Sequence, residues 1–188
     1  MNEVIKNILS RRSVRSFEDR QIPSRDLMAI LDCARRAPSG VNAQGCHFCV
    51  VQKKESLSAL LSAAKEAFLA SGEDFYVSEA VDPSFNFFYA APTFVIVSAN
   101  PTGPDIVAPE ADAACALQNI FLAAHSLGIS SCWIHALVPF CSSPALRPVL
   151  TSLGVPPENM VYGGAALGYC SGAYPEPPEI TGNAVSFA

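Results

Sequence analysis

The chain has 188 residues, half of them apolar, which is enough to bury the core of one domain. Its net charge of −5 argues against a nucleic-acid partner, because duplex binding needs Lys and Arg side chains to neutralise phosphates. The first residues interleave polar and apolar side chains and no run approaches a membrane span, so the sequence predicts a cytoplasmic protein with no membrane contact.

Helical and strand patterns alternate in the first half of the chain. The spacing of apolar residues predicts a helix over Asn2–Leu9, capped by its first residue, and a second helix with Ser24 as its N-cap that ends before Pro38. His47–Val51 has the pattern of a strand, and a third helix follows it. The aromatic stretch 76–89 fits neither pattern, so its structure stays open.

The second half continues the alternation. Pro92–Val97 predicts a buried strand, 111–127 a long alanine-rich helix, and Ser131–Ile134 another strand. Ser143-Pro144 has the composition of a helix start, and Met160–Tyr169 that of a strand. No repeat or linker interrupts this order, which predicts a single domain.

The last residues differ from the rest of the chain. The Pro-rich stretch Tyr174–Pro178 cannot pair inside a central sheet, so residues 174–188 are expected to run extended over a surface. Ala184–Phe187 has the composition of one more strand. We therefore expect the domain to span 1–188, with this tail packed on a partner chain.

The seven cysteines form an odd set in a chain without a secretion signal, which favours reduced thiols. Cys46 and Cys49 have the CxxC spelling of a redox or zinc motif, but alternation along a strand points them to opposite faces. No second pair completes a zinc site, so the sequence predicts core cysteines and no metal.

Basic side chains are concentrated near the N-terminus. Four arginines lie within ten residues: Arg11, Arg12, Arg15 and Arg20. After Lys65 the only basic residue is Arg147, so a bound phosphate must be met mainly by this cluster. Guanidinium groups match phosphate oxygens in charge and geometry, although such a cluster is also typical of a solvated face.

A second polar segment, Pro38–Gln44, combines small residues with amide and hydroxyl groups. Together with Arg11–Phe17, it resembles the FMN-dependent nitroreductase family. The resemblance continues through most of the chain in four further segments: Ala91–Val97, Gln118-Asn119, Gly128–Ile134 and Ala166–Tyr169.

This resemblance implies an α+β nitroreductase-like fold, in which helices flank a mixed central sheet and two protomers intertwine as a homodimer. It implies one non-covalent FMN at each end of the dimer interface. The expected activity is the transfer of electrons from NAD(P)H to an oxidised small molecule, such as a nitro compound or quinone, by a ping-pong mechanism.

By match to the family's motifs, Arg11, Arg12, Ser13 and Arg15 would hold the phosphate and ribityl side of FMN. Arg15 would lie near the flavin N1/O2 edge, where a fixed positive charge stabilises the reduced form. The other protomer would contribute four residues of the second segment: Pro38, Ser39, Gly40 and Asn42.

Trp133, Ile134, His135 and Ala136 match the family's loop whose backbone N–H points at flavin N5. Relatives often have an acidic residue and a glycine at the last two positions, so His135 is a candidate proton donor. The alternative is a structural histidine that donates to a carbonyl. Asn86 would meet the pyrimidine edge of the flavin, or else face solvent on a helix.

The C-terminal region departs from the family, which commonly has a Lys or Arg there to complete the phosphate site. This chain has Glu179–Asn183 instead, so either Arg12 compensates or FMN is held more weakly. Two alternatives stay open: an FMN-binding store or sensor without turnover, and a divergent reaction such as reductive dehalogenation or flavin breakdown. The sequence selects neither the substrate nor NADH over NADPH.

Overall fold

The computed structural model describes residues 1–103 and 107–187. These residues form a four-stranded sheet whose strands are β1 (His47–Val51), β2 (Thr93–Ala99), β3 (Ser130–Ile134) and β4 (Met160–Gly168). They also form six α-helices: α1 (Glu3–Ser10), α2 (Ser24–Ala34), α3 (Lys54–Ser71), α4 (Asp74–Val81), α5 (Pro109–Ser126) and α6 (Leu146–Ser152). The spatial order of the strands is β1-β2-β4-β3, so β2 and β4 are central.

The predicted α+β architecture is present, but the strands of the described sheet are not mixed in direction. All three neighbouring pairs are antiparallel. The parallel component is an isolated bridge between Ser13 and Ser131, where the N–H of Val14 donates to the Ser131 carbonyl at 2.9 Å. The bridge is isolated, and the neighbouring N–H of Arg12 donates to the Tyr174 hydroxyl at 2.9 Å.

The two faces of the sheet carry separate apolar layers. Phe94 and Ile96 pack with α3, α4 and α6, whereas Val95 and Val97 pack with α2 and α5. This is the period of two that a strand imposes on its side chains. Cys49 belongs to the first layer and Cys46 borders the second, so the CxxC spelling does not bring two thiols together.

Most element boundaries lie within two residues of the sequence prediction, and the largest strand difference is β2, which ends at Ala99 rather than Val97. Asn2 caps α1 as predicted, since its Oδ1 accepts the N–H of Ile5 at 3.0 Å. Ser24 is the first residue of α2 rather than its cap, a position that Pro23 occupies. α6 begins at Leu146, whose N–H donates to the Ser143 hydroxyl at 3.2 Å.

The aromatic stretch that fitted no pattern contains the end of α4 and a series of turns. Phe68 on α3 packs against Tyr76 with ring centroids 5.2 Å apart, and against Phe140 at 4.9 Å. Tyr76 and Phe140 meet edge to face at 4.7 Å. These three rings hold α4 against α3, so tertiary packing decides the structure of this stretch.

The tail forms no helix or strand in its described residues, 171–187. Residues 171–187 are exposed, and the expected strand at 184–187 is wrong, because these described residues pair with no other segment. A strand needs a partner, and none of the described sheet edges lies beside them. Among the described residues no helix has the length and hydropathy needed to cross a bilayer.

Candidate functional site

The segment after α1 runs extended along β3 and sorts its side chains by alternation. Val14 is fully buried beneath it. Arg11 and Ser13 point the other way and line a cavity of about 590 Å³. Residues that alternate in this way present every second side chain to the same face, so an extended backbone brings a guanidinium and a hydroxyl to one cavity wall.

This arginine cavity is also bordered by α5, the end of β3 and β4. Its walls are mainly apolar and aromatic, with a few polar groups. They comprise Arg11, Ser13, Glu110, Ala114, Leu117, Gln118, Phe121, Trp133, His135, Val138 and Tyr162. The cavity therefore combines one positively charged end with flat ring surfaces, which suits a planar anionic ligand.

Trp133 forms a wall of the cavity because β4 has a glycine beneath it. A Cβ on Gly163 would lie 3.0 Å from the Trp133 indole nitrogen and 2.8 Å from Leu117 Cδ1. The indole remains 54 % exposed, an unusual state for the largest apolar side chain. The glycine thus allows an exposed aromatic ring to lie against the sheet.

Arg12, predicted with its neighbours as a phosphate ligand, does not line the cavity. Its Nη1 donates to the carbonyls of Leu9 and Arg11, each at 2.8 Å, which satisfies the end of α1. Arg12 is two residues from the buried Val14, so along an extended backbone the two residues belong to the same face. The structure therefore gives Arg12 the role of a helix cap.

Arg15 lies beside a residue that the sequence analysis missed. Its guanidinium carbon is 5.9 Å from the centroid of the Tyr89 ring. Tyr89 and Ala90 both adopt left-handed backbone conformations, with φ of 56° and 53°. Such strain in consecutive non-glycine residues costs on the order of 1 kcal/mol each and is concentrated at functional sites.

The second predicted segment lies in a different place within one chain. Pro38 and Ser39 line a separate loop cavity of about 490 Å³, beside Cys46 and Asp112. The N–H of Gly40 donates to Asp112 Oδ1 at 2.9 Å, and the side chain of Asn42 is exposed. One chain therefore does not bring these residues to the arginine cavity.

His135 follows β3 and is exposed at the cavity, with its ring 5.6 Å from that of Trp133. Both interpretations of His135, a proton donor and a structural histidine, stay predictions. Ile134 is buried beside it and Ala136 is half-buried.

Asn86 sits in a turn rather than on a helix. Its Oδ1 accepts the N–H of Phe88 at 3.1 Å, and the residue lines a third cavity of about 670 Å³ with Phe17 and Ala91. Tyr89 follows it by one turn, since the Tyr89 N–H donates to the Asn86 carbonyl at 2.9 Å. Asn86 is therefore near Arg15 through Tyr89, not beside Arg11.

Burial and charge shift several acid–base groups around these cavities. Burial raises the pKa of Tyr162, and the Glu110 carboxylate raises it further. Burial also raises the pKa of Cys46 to about 11, with Asp112 and Cys115 contributing. Both groups are therefore neutral at physiological pH. Burial lowers the pKa of His125, and so do the charges of Arg11 and Arg12.

Comparison with known proteins decides the family. The sequence profile described as the nitroreductase family matches residues 8–169, which include the arginine segment and all four strands.

The chain belongs to the nitroreductase family.

A nitroreductase from Bacteroides fragilis, solved with bound FMN, is 40 % identical, superposes with a TM-score of 0.95 and is covered fully by this chain, as this chain is by it. A nitroreductase from Desulfitobacterium hafniense, also with FMN, is 29 % identical at a TM-score of 0.81 over 99 % of this chain and 100 % of the other. An Archaeoglobus fulgidus protein provisionally named NADH dehydrogenase/NAD(P)H nitroreductase is 32 % identical over 90 % of this chain and 86 % of its own length.

The predicted nitroreductase family, its fold and its class of enzyme are confirmed by these relatives. Two residues in contact with predicted site residues were missed: Tyr89 beside Arg15, and Asp112 beside Gly40. The sequence did carry a signal that Asp112 is buried. It lies one helical turn before Ala116, in line with Ile120 on the buried stripe of α5. Tyr89 had none, since it lies in the stretch without a pattern.

Proposed function

We propose that the protein is a cytoplasmic oxidoreductase that binds FMN and transfers electrons from NAD(P)H to an oxidised small molecule. The observation that carries this proposal is the shared cavity of Arg11, Ser13, Trp133 and His135. The family relationship and two relatives solved with FMN support it.

The residues of the cavity fit FMN in charge and in shape. Arg11 lines the cavity, and within residues 1–103 and 107–187 neither it nor Arg15, outside this cavity, forms a salt bridge, so both positive charges are available to an anion. The Ser13 hydroxyl adds a neutral donor, and the Trp133 ring gives a flat wall. A phosphate and a planar ring system are the two groups that such a set recognises.

FMN, when bound, supplies the hydride acceptor and electron carrier of a ping-pong reaction. The chain's own residues bind and tune it. Arg15 provides a fixed positive charge that favours the anionic reduced cofactor. Leu117, Phe121 and Trp133 exclude water from one wall of the cavity, and His135 holds a proton beside it as the candidate catalytic donor.

We further propose a homodimer in which each site is shared. Pro38, Ser39, Gly40 and Asn42 would complete the partner's site, since none of them lines the arginine cavity of their own chain. The exposed apolar face of α1 offers an interface, and it consists of Val4, Ile5, Ile8 and Leu9. The exposed 171–187 tail would also pack on the partner. Such contacts would remove the exposed apolar side chains of α1 and of the tail from water.

The remaining predicted contacts follow from these positions. Ile134 and Ala136 would act through backbone groups at the end of β3, beside His135. Asn86 would meet the cofactor from the side of Tyr89. Arg12 would support the site by fixing the end of α1 rather than by touching the phosphate.

FMN titration of an Arg11→Ala variant tests the proposal. Loss of one charge-assisted contact to phosphate should weaken FMN binding by about tenfold to a hundredfold. Arg25→Ala, which removes an exposed arginine of α2, is the matched control and should bind as the wild type does. Equal affinity in both variants, or no FMN binding by the wild type, would refute the proposed site.

A further inference from the structure

The loop after α2 has a backbone that its residues do not favour on their own. Val41, Asn42 and Gln44 have φ of 48°, 58° and 53°, in the left-handed region. None of the three is glycine, and valine is among the residues least suited to this conformation. Something outside the loop must therefore compensate for its strain.

The side chains of these three residues are not held by apolar packing. The side chain of Val41 is 75 % exposed, and Asn42 and Gln44 are exposed as well. Behind the loop lies the loop cavity, not a packed layer. Among the described residues, two hydrogen bonds are placed to fix the conformation of the loop.

Asp112, which is outside the loop, provides one of these hydrogen bonds. Its side chain is only 6 % exposed, and its Oδ1 accepts the Gly40 N–H at 2.9 Å. Asp112 lies at the N-terminal end of α5, where the helix dipole stabilises a carboxylate. The second hydrogen bond is internal to the loop, because the Ser39 hydroxyl accepts the Gln44 N–H at 3.0 Å.

We propose that Asp112 is a positioning residue for flavin binding. Its carboxylate fixes the 39–44 turn, so that Ser39 and Asn42 are presented in one orientation to the FMN of the partner subunit. The proposal rests on the proposed function, since the loop has this task only if FMN is the cofactor. Asp112 itself acts through the Gly40 backbone and not on the flavin.

The test compares Asp112→Ala with Asp112→Asn in the full-length protein. Alanine removes the acceptor, whereas asparagine keeps an oxygen of the same reach for the Gly40 N–H. We expect Asp112→Ala to bind FMN about tenfold to a hundredfold more weakly and to shift the visible flavin spectrum, and Asp112→Asn to restore both. Asp32→Asn is the control, because this exposed carboxylate borders the same cavity but pairs with Arg35.

Hydrogen exchange of the Gly40 amide in the FMN-free protein gives a second readout. It should accelerate in Asp112→Ala and recover in Asp112→Asn. If Asp112→Ala fails to fold, Asp112→Ser replaces it, since the serine hydroxyl is one bond shorter and loses the contact.

If Asp112→Ala binds FMN with the affinity and the spectrum of the wild type, the role of Asp112 is overturned. The FMN assignment would then remain intact. A wild-type protein that does not bind FMN would overturn both.

Discussion

Arg15 and Tyr89 form a pair. Tyr89 has a left-handed backbone conformation, and its ring faces the guanidinium charge that the proposed cofactor site uses. The ring faces the guanidinium at 5.9 Å, within the range of a cation–π contact. Because the Arg15 charge has no acidic partner in the described residues, the ring is its nearest stabilising neighbour. If Arg15 tunes the cofactor as proposed, Tyr89 is the residue placed to orient its charge.

Replacing Tyr89 tests this pairing. Tyr89→Leu removes the ring face and should weaken FMN binding by about twofold to fivefold, the value of a partly exposed cation–π contact. Tyr89→Phe retains the ring and should match the wild type. Titration with FMN measures both, and an equal loss in the two variants would assign the effect to the hydroxyl instead.

Sequence motifs identified those site residues whose positions depend on the alternation of side chains along an extended backbone. Arg11, Ser13, Trp133 and His135 were predicted and do meet in one cavity. Arg12, predicted with them, does not line that cavity, because its contacts are with carbonyls at the end of α1 and with Tyr174, which is 162 residues away. A local pattern carries no information on a contact of that range.

Among the elements, the strands were predicted well because both faces of the sheet are buried. β2 is buried along its whole length and therefore appears in the sequence as an unbroken apolar run. α4 was not predicted, since its aromatic residues fit no helical stripe. Its place depends on rings from α3 and from the 3-10 turn Val138–Phe140.

Phe68 tests whether the aromatic cluster holds these elements together. The side chain is fully buried and contacts Tyr76, Phe85 and Phe140. Phe68→Ala should lower the free energy of unfolding by about 3–5 kcal/mol, as other large-to-small core substitutions do. Leu69→Ala, at an exposed position of the same helix, should cost less than about 1 kcal/mol. Denaturant unfolding compares them, and similar losses would contradict the cluster's role.

At the scale of the whole molecule, the two halves of the predicted cofactor site lie in separate cavities of one chain. The fold and family could be predicted because the motifs of the nitroreductase family occur in their usual order along nearly the whole sequence. That a second copy joins the two halves was expected only from the family resemblance, because no local pattern in the sequence specifies a contact between chains. The shared site therefore stays a prediction that an assembly experiment must decide.

A heterodimer with two different tags makes that experiment possible. One chain carries Arg11→Ala and the other carries Ser39→Ala with Asn42→Ala. If sites are shared, both defects fall in one site and the other site is intact, so one FMN per dimer binds with wild-type affinity. Two weakened sites would show that each chain builds its own.

The central claim is that this protein carries electrons from a nicotinamide through FMN. The most direct measurement is an anaerobic titration of the FMN-reconstituted protein with NADH and with NADPH, followed by a nitro compound or a quinone. We predict that a nicotinamide bleaches the visible flavin absorbance and that the acceptor restores it. A protein that stays colourless after reconstitution, or a bound flavin that neither nicotinamide reduces, would contradict the account.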